Sequence, residues 1–148
     1  MPKARLAQPS DLRPLLDLFR GSEVSPVAEP IAHAERIWTE MLARQGVAVF
    51  VSDAGARLAA TCMLISAPNL LRGGRGHGFL ENVVTHRELR GQGHGRAVVG
   101  AALAEAWARG CHHVLLQSGR QDPAVHRFYE SCGFRPGVRT GYVANHPE

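Results

Sequence analysis

Hydrophobic positions along the chain follow two periods, and the changes of period mark the predicted helices and strands. Apolar residues three and four positions apart predict a helix over residues 11–20, capped by Ser10, and another over residues 31–45. Two further helices are predicted over residues 97–109 and 123–132, each followed by a glycine. Short apolar runs between turn residues predict strands at residues 3–7, 47–52, 58–66, 78–85 and 114–118, with one or two more within 134–144.

These elements alternate as β-α-α-β-β-β-α-β-α-β, which is typical of the α/β class. A length of 148 residues suits one domain with a sizeable core, so we expect a single domain over residues 1–148.

A glycine-rich segment at residues 89–96, with the sequence LRGQGHGR, connects a predicted strand to a predicted helix. The N–H groups in the first turn of a helix have no internal acceptors, and the helix dipole is positive at that end. Glycine lets the backbone take left-handed angles and lets a phosphate come close. Arg90 and Arg96 add positive charge. The segment therefore predicts a site for a diphosphate-bearing cofactor.

Spacing separates the phosphate-binding motifs that could explain this segment. A Walker A loop needs a lysine after its last glycine, and Lys3 is the chain's one lysine. A dinucleotide fingerprint needs a third glycine where Arg96 stands, and no acidic residue follows at about twenty positions. The second glycine cluster, at residues 73–78, precedes a strand and is predicted to be a hairpin loop. The remaining pattern is Arg-x-x-Gly-x-Gly, from Arg90 to Gly95; a plain connecting turn is the competing interpretation.

That pattern resembles the pyrophosphate loop of the GNAT superfamily of acetyl-CoA-dependent N-acetyltransferases. Residues 124–134, AVHRFYESCGF, resemble the GNAT segment in which a short helix carries an aromatic-Tyr pair and ends at Gly-Phe. The resemblance covers about the last half of the chain. It implies a GNAT-like α/β fold: a central twisted sheet of six to seven strands, mixed and mostly antiparallel, flanked by four helices. It also implies acetyl-CoA as co-substrate and transfer to a primary amine by direct attack in a ternary complex.

The resemblance assigns most of the candidate site to backbone groups. It implies that the strand residues Val83, Val84 and Thr85 pair with the pantetheine amides and that an N–H near Val83 meets the thioester oxygen. It implies Tyr129 as general acid, since a phenol can protonate the departing thiolate. Asp122 stands where many members have asparagine; a carboxylate cannot donate that hydrogen bond, so Asp122 is alternatively only an N-cap. The implied cofactor-binding residues are Val83, Val84, Thr85, Arg90, Gly91, Gln92, Gly93, His94, Gly95, Arg96 and Asp122.

Glu81, on the strand beside the expected thioester, is the candidate base for the amine proton. A solvated glutamate, or one paired with Arg87, is the equally weighted alternative. The neighbouring Asn82 either orients the substrate or closes a bulge.

Charge is unevenly distributed along the chain. The net charge is +4; residues 1–66 are balanced, and residues 67–148 carry ten basic and six acidic side chains. We expect this excess to flank the glycine loop and attract a cofactor with several phosphates. The basic residues are not interleaved with aromatic residues, which would form a stacking platform for bases, so no nucleic-acid partner is expected. The arginines in question are Arg72, Arg75, Arg87, Arg90 and Arg96.

Other residue types point to a cytoplasmic protein without metal. Three cysteines without a C-x-x-C pair suggest reduced thiols. No apolar run suits a signal peptide or a membrane span, so no membrane partner is expected. The adjacent His112 and His113 are expected to point to opposite faces of a strand, which disfavours a metal site. Acyl transfer through Cys111 or Cys132 is disfavoured because neither has an evident base.

The acceptor is expected to be a small-molecule primary amine, because no element is evident for docking a large protein. Acetylation of a protein or peptide amine stays open. Two non-enzymatic alternatives also stay open: a non-catalytic acyl-CoA-binding sensor or regulatory module, and a small basic nucleic-acid-binding domain. A homodimer is implied by the family.

Overall fold

A computed structural model describes residues 1–148, which form one five-stranded sheet and four α-helices. The chain divides into two compact units, Met1–Leu116, which holds the sheet and three helices, and Gln117–Glu148, which holds the fourth helix. The strands are β1 (Ala4–Leu6), β2 (Val47–Ala54), β3 (Arg57–Ala67), β4 (His77–Thr85) and β5 (His113–Leu116). The helices are α1 (Leu12–Arg20), α2 (Ile31–Ala43), α3 (His94–Ala108) and α4 (Pro123–Ser131).

The sheet is mixed, with its strands in sequence order from β1 to β5. The first three pairings are antiparallel, and the pairing of β4 with β5 is parallel. A two-residue turn joins β2 to β3, with Ala54 opposite Arg57, so these two strands form a hairpin. Residues 73–76 of the second glycine cluster lie in the connection between the antiparallel strands β3 and β4, as predicted, whereas His77 and Gly78 begin β4. Because β4 and β5 are parallel, α3 serves as the crossover between them.

The expected count of six to seven strands is wrong, because no strand forms within residues 134–144. Pro136 has no N–H to give to a ladder, and Gly137 has a φ of 72°, outside the strand region. The apolar residues beyond them, Val138, Tyr142 and Val143, are all exposed. The segment therefore lacks the buried face that would hold it in a sheet.

Two helix starts differ from the prediction. A short 3-10 helix over Pro9–Asp11 precedes α1, so the N-cap position belongs to Asp11 and not to Ser10. Helix α3 starts at His94, three residues earlier than expected, and it begins directly after Gly93. The first turn of α3 is therefore made by the glycine-rich segment itself.

Apolar layers cover both faces of the sheet. Helices α1 and α2 cover one face, where the core cluster consists of Leu15, Leu18, Trp38, Val49, Val51, Leu58 and Val84. Helix α3 covers the other face, where the thiol of Cys62 donates a hydrogen bond to the Val98 carbonyl over 3.2 Å. Burial raises the pKa of the Cys62 thiol to about 12, so this cysteine stays protonated and packs as an apolar side chain.

Arg5, on β1, forms ion pairs with two carboxylates, that of Asp11 before α1 and that of Asp53 on β2. Its guanidinium donates two hydrogen bonds to Asp11, over 2.8 and 3.0 Å, and two to Asp53, over 2.8 and 2.9 Å. The Gln8 N–H also donates to the Asp11 carboxylate, over 2.7 Å. The guanidinium, and secondarily this N–H, lower the pKa of Asp11 although burial acts in the opposite direction.

Replacing Arg5 by leucine is expected to destabilise the protein, because it leaves the buried Asp11 carboxylate without its main partner. The expected loss is about 1–3 kcal/mol at pH 7. A carboxyl group whose pKa is lowered by folding stabilises the protein above its unfolded pKa, about 3.9, and this contribution is lost as the pH falls further. Urea unfolding of parent and variant should therefore differ at pH 7 and converge toward pH 2. An equal difference at both values would contradict this account.

Candidate active site

The edge of β4 is free along its second half. Pairing of β4 with β5 ends at Leu80 opposite Leu116, while β4 continues to Thr85. No strand therefore pairs with residues 81–85 on the side away from β3, and their outward backbone groups remain available for hydrogen bonds. Val84 is buried in the core cluster, and Val83 and Thr85 are half-buried. The three residues predicted to hold pantetheine thus offer mainly their backbone.

A β-bulge interrupts β4 at the start of this free edge. The register shifts between Thr61, which lies opposite Val84, and Met63, which lies opposite Glu81. Asn82, inside the shift, has a φ of 53°, a left-handed value that asparagine tolerates better than most residues. Asn82 therefore lies in a bulge, as one of its two predicted interpretations had it. The bulge turns local backbone groups out of the hydrogen-bonded ladder of the sheet.

The glycine loop follows β4 after a short 3-10 helix at Arg87–Leu89. Gly91 and Gly93 have φ values of 76° and 96°, which only glycine adopts readily. The first intrahelical hydrogen bond of α3 runs from the Ala97 N–H to the Gly93 carbonyl, over 3.0 Å. The N–H groups before Ala97 therefore precede the helical ladder, and the positive end of α3 lies at this loop. Such an arrangement suits an anion.

The five arginines expected around the loop do not all lie there. Arg72 and Arg75 belong to the connection before β4, at the opposite end of that nine-residue strand, and Arg75 donates to the Cys111 carbonyl over 3.1 Å. Arg87 approaches Glu23 to 3.8 Å. Only Arg90 and Arg96 lie within the loop and the first turn of α3, and both are exposed.

A buried polar pair anchors the first turn of α3. The His94 side chain is only 8% exposed, and its Nδ1 lies 2.7 Å from the Oγ of Ser52, which is fully buried on β2. His94 belongs to the predicted loop, whereas no motif indicated Ser52, which lies 42 residues away. An isolated serine in an apolar strand is the only signal that could have pointed to it.

Glu81 is exposed, and it forms no ion pair with Arg87, so the expected alternative of that salt bridge is wrong. Met63 lies directly opposite on β3. The Glu81 side chain therefore shares the sheet face of α1 and α2 with an apolar neighbour.

Helix α4 carries the remaining candidate residues. The Asp122 carboxylate accepts a hydrogen bond from the Ala124 N–H over 2.9 Å, so Asp122 is the N-cap of this helix. Gly133 ends it with a φ of 100°. Tyr129 is half-buried, and its ring contacts those of Phe128 and Phe134, with centroids 5.2 and 6.1 Å apart. These aromatic contacts fix the ring of the candidate general acid.

The adjacent histidines do not point apart as expected. His112 precedes β5, so strand alternation does not apply to it, and its Nδ1 lies 3.1 Å from that of His113. No group of three or more histidine, cysteine or acidic side chains is arranged to hold a metal ion. None of the helices combines the length and the apolar character needed to cross a membrane.

Comparisons with known proteins agree with this geometry. The sequence profile of the Acetyltransferase (GNAT) family matches residues 12–134. Glucosamine 6-phosphate N-acetyltransferase of Trypanosoma brucei brucei is 30% identical over 91% of this chain and 90% of its own. Glucosamine 6-phosphate N-acetyltransferase 1 of Oryza sativa subsp. japonica is 34% identical over 83% of this chain and 79% of its own. A solved candidate acetyltransferase from Agrobacterium tumefaciens str. C58 is 40% identical, with a TM-score of 0.89, over 97% of this chain and 99% of that one. This protein therefore belongs to the acetyltransferase (GNAT) family of acyltransferases, which use acetyl-CoA as co-substrate.

Proposed function

We propose that this enzyme transfers the acetyl group of acetyl-CoA to the primary amine of a small molecule, by direct attack in a ternary complex. The observation that carries the proposal is the continuity of the free β4 edge, the bulge at Asn82 and the glycine loop at the start of α3. An extended pantetheine would pair with the β4 edge as an added strand does. The diphosphate would lie at the first turn of α3.

The chemistry then needs groups for two protons and for the developing negative charge on the thioester oxygen. A backbone N–H near Val83 is the proposed oxyanion donor, because the bulge turns backbone groups out of the ladder at this point. Glu81 is the proposed acceptor of the amine proton, directly or through one water, since it is exposed and unpaired. Tyr129 is the proposed donor to the departing thiolate.

The acceptor class rests on two relatives with 30% and 34% identity, both named for acetylation of glucosamine 6-phosphate. Amino-sugar phosphates are therefore the first acceptors to test. A readout of free thiol should show acetyl-CoA consumption with a small amine and none with the matching hydroxyl sugar, which offers no amine. If peptide amines were acetylated and every small amine failed, the small-molecule assignment would be wrong.

Acetyl-CoA is expected to raise the melting temperature, because a ligand that binds only the folded state stabilises it by mass action. At a concentration about a hundred times its Kd, the gain would be about 2.7 kcal/mol. A thermal melt with acetyl-CoA, and a parallel one with NAD, makes the measurement. No shift with acetyl-CoA, or a larger shift with NAD, would show that acetyl-CoA is not the cofactor of the glycine loop.

A further inference from the structure

The Ser52–His94 hydrogen bond is a polar contact within an otherwise apolar layer. Ser52 is the β2 residue opposite Ala4 on one side and Ala60 on the other. Register partners share a sheet face, so the serine is flanked by two methyl side chains on the face that α3 covers. These small neighbours leave room for the imidazole, which reaches the strand from the first residue of α3.

Burial of the serine fixes the direction of the hydrogen bond. The Ser52 side chain is fully buried and His94 Nδ1 is its one hydrogen-bond partner. A buried hydroxyl proton without an acceptor is costly. The hydroxyl proton is satisfied when Ser52 donates to Nδ1, which is the acceptor nitrogen of the His94 tautomer that carries its proton on Nε2.

From this geometry we infer that Ser52 and His94 are positioning residues for the diphosphate loop. Gly93, the N-cap residue immediately before His94, has left-handed backbone angles, so the loop has no regular structure of its own to hold it. The hydrogen bond ties the residue after Gly93 to a central part of the sheet, and so fixes the first-turn N–H groups before the ligand arrives. The inference deepens the proposed function and rests on it for the identity of the anion.

Hydrogen exchange tests the anchoring without any ligand. In Ser52→Ala, the Ala97 amide, which donates to Gly93, should exchange about tenfold faster than in the parent, because the first turn opens more often. Thr61→Val is the matched control, since it removes another buried hydroxyl, bonded to the Phe50 carbonyl over 2.9 Å on β2. That control should leave Ala97 exchange unchanged. Equal exchange in parent and Ser52→Ala would overturn the inference.

Substitutions of His94 identify which ring nitrogen matters. The side-chain amide of asparagine can place an acceptor oxygen where the histidine ring has Nδ1. The longer side chain of glutamine places its amide where the ring has Nε2. His94→Asn should therefore raise the KM for acetyl-CoA by less than His94→Gln does. His94→Gln and Ser52→Ala should raise it about tenfold, with kcat within about twofold of the parent.

The reverse order, with glutamine active and asparagine impaired, would mean that Nε2 contacts the cofactor directly and would overturn the positioning role. Failure of the proposed function is a separate result. It would be seen as a parent protein that neither binds nor consumes acetyl-CoA, and the exchange of Ala97 would still decide whether the pair holds the loop.

Discussion

Gly93→Val is expected to abolish acetyl-CoA binding while the protein remains folded. Gly93 has a φ of 96° at the start of α3, which a β-branched residue resists. A Cβ at this position would also lie 3.5 Å from the Pro2 ring, so the added methyl groups have little room on that side. We expect the Kd for acetyl-CoA, measured by calorimetry, to rise at least about a hundredfold.

The control for this variant lies at the other end of the same helix. Gly110 has a φ of 79°, and a Cβ there would meet nothing within 4 Å. Gly110→Val therefore introduces similar backbone strain far from the loop and should retain binding, with circular dichroism reporting the fold of both variants. If Gly93→Val bound acetyl-CoA as tightly as the parent, the loop would be only a connector between β4 and α3.

The loop and the helix ends could be predicted because their signals are local. Glycines at positions 91, 93, 110 and 133 all have positive φ, and the sequence identified each as part of a turn or a helix end. Asp122 likewise caps its helix through a contact two residues away. In each case the residue type suits a backbone angle or a hydrogen bond that involves only residues a few positions away. The local sequence is therefore enough to predict it.

Contacts between distant segments were not predictable in this way. Nothing in the sequence near Ser52 indicates that His94 will face it, because that meeting depends on the register of the whole sheet. The Arg5 cluster joins β1 to Asp53, 48 residues away, for the same reason. Residues 134–144 show the opposite failure, since short apolar runs suggested strands where the apolar side chains remain exposed. The pattern of apolar residues alone does not show whether another element of the protein packs against them.

The bulge at Asn82 lies between these cases. The sequence allowed a bulge there as one of two interpretations of Asn82. What the sequence could not show is the register shift between Thr61 and Met63 that requires the extra residue. The consequence matters for the proposed mechanism, because the shift falls where β4 loses β5 as a partner. Irregular backbone and a free edge thus coincide within five residues of strand.

Tyr129→Phe is expected to lower kcat by about a hundredfold or more, with acetyl-CoA affinity nearly unchanged. The ring packs against Phe128 and Phe134, and phenylalanine keeps both contacts, so the fold and the position of the ring should survive. Only the hydroxyl is lost, and with it the proposed proton donor to the thiolate. The measurement is turnover at saturating acetyl-CoA across pH, with an acceptor amine identified by the thiol assay.

Tyr142→Phe is the matched control, because Tyr142 is the other of the two tyrosines and is 87% exposed. It should leave kcat and KM unchanged. A role for Tyr129 in binding alone would raise the KM for acetyl-CoA at least as much as it lowered kcat, since uniform binding does not act on the chemical step. A Tyr129→Phe enzyme with full kcat would remove the phenol from the mechanism. Water or Glu81 would then have to supply the proton.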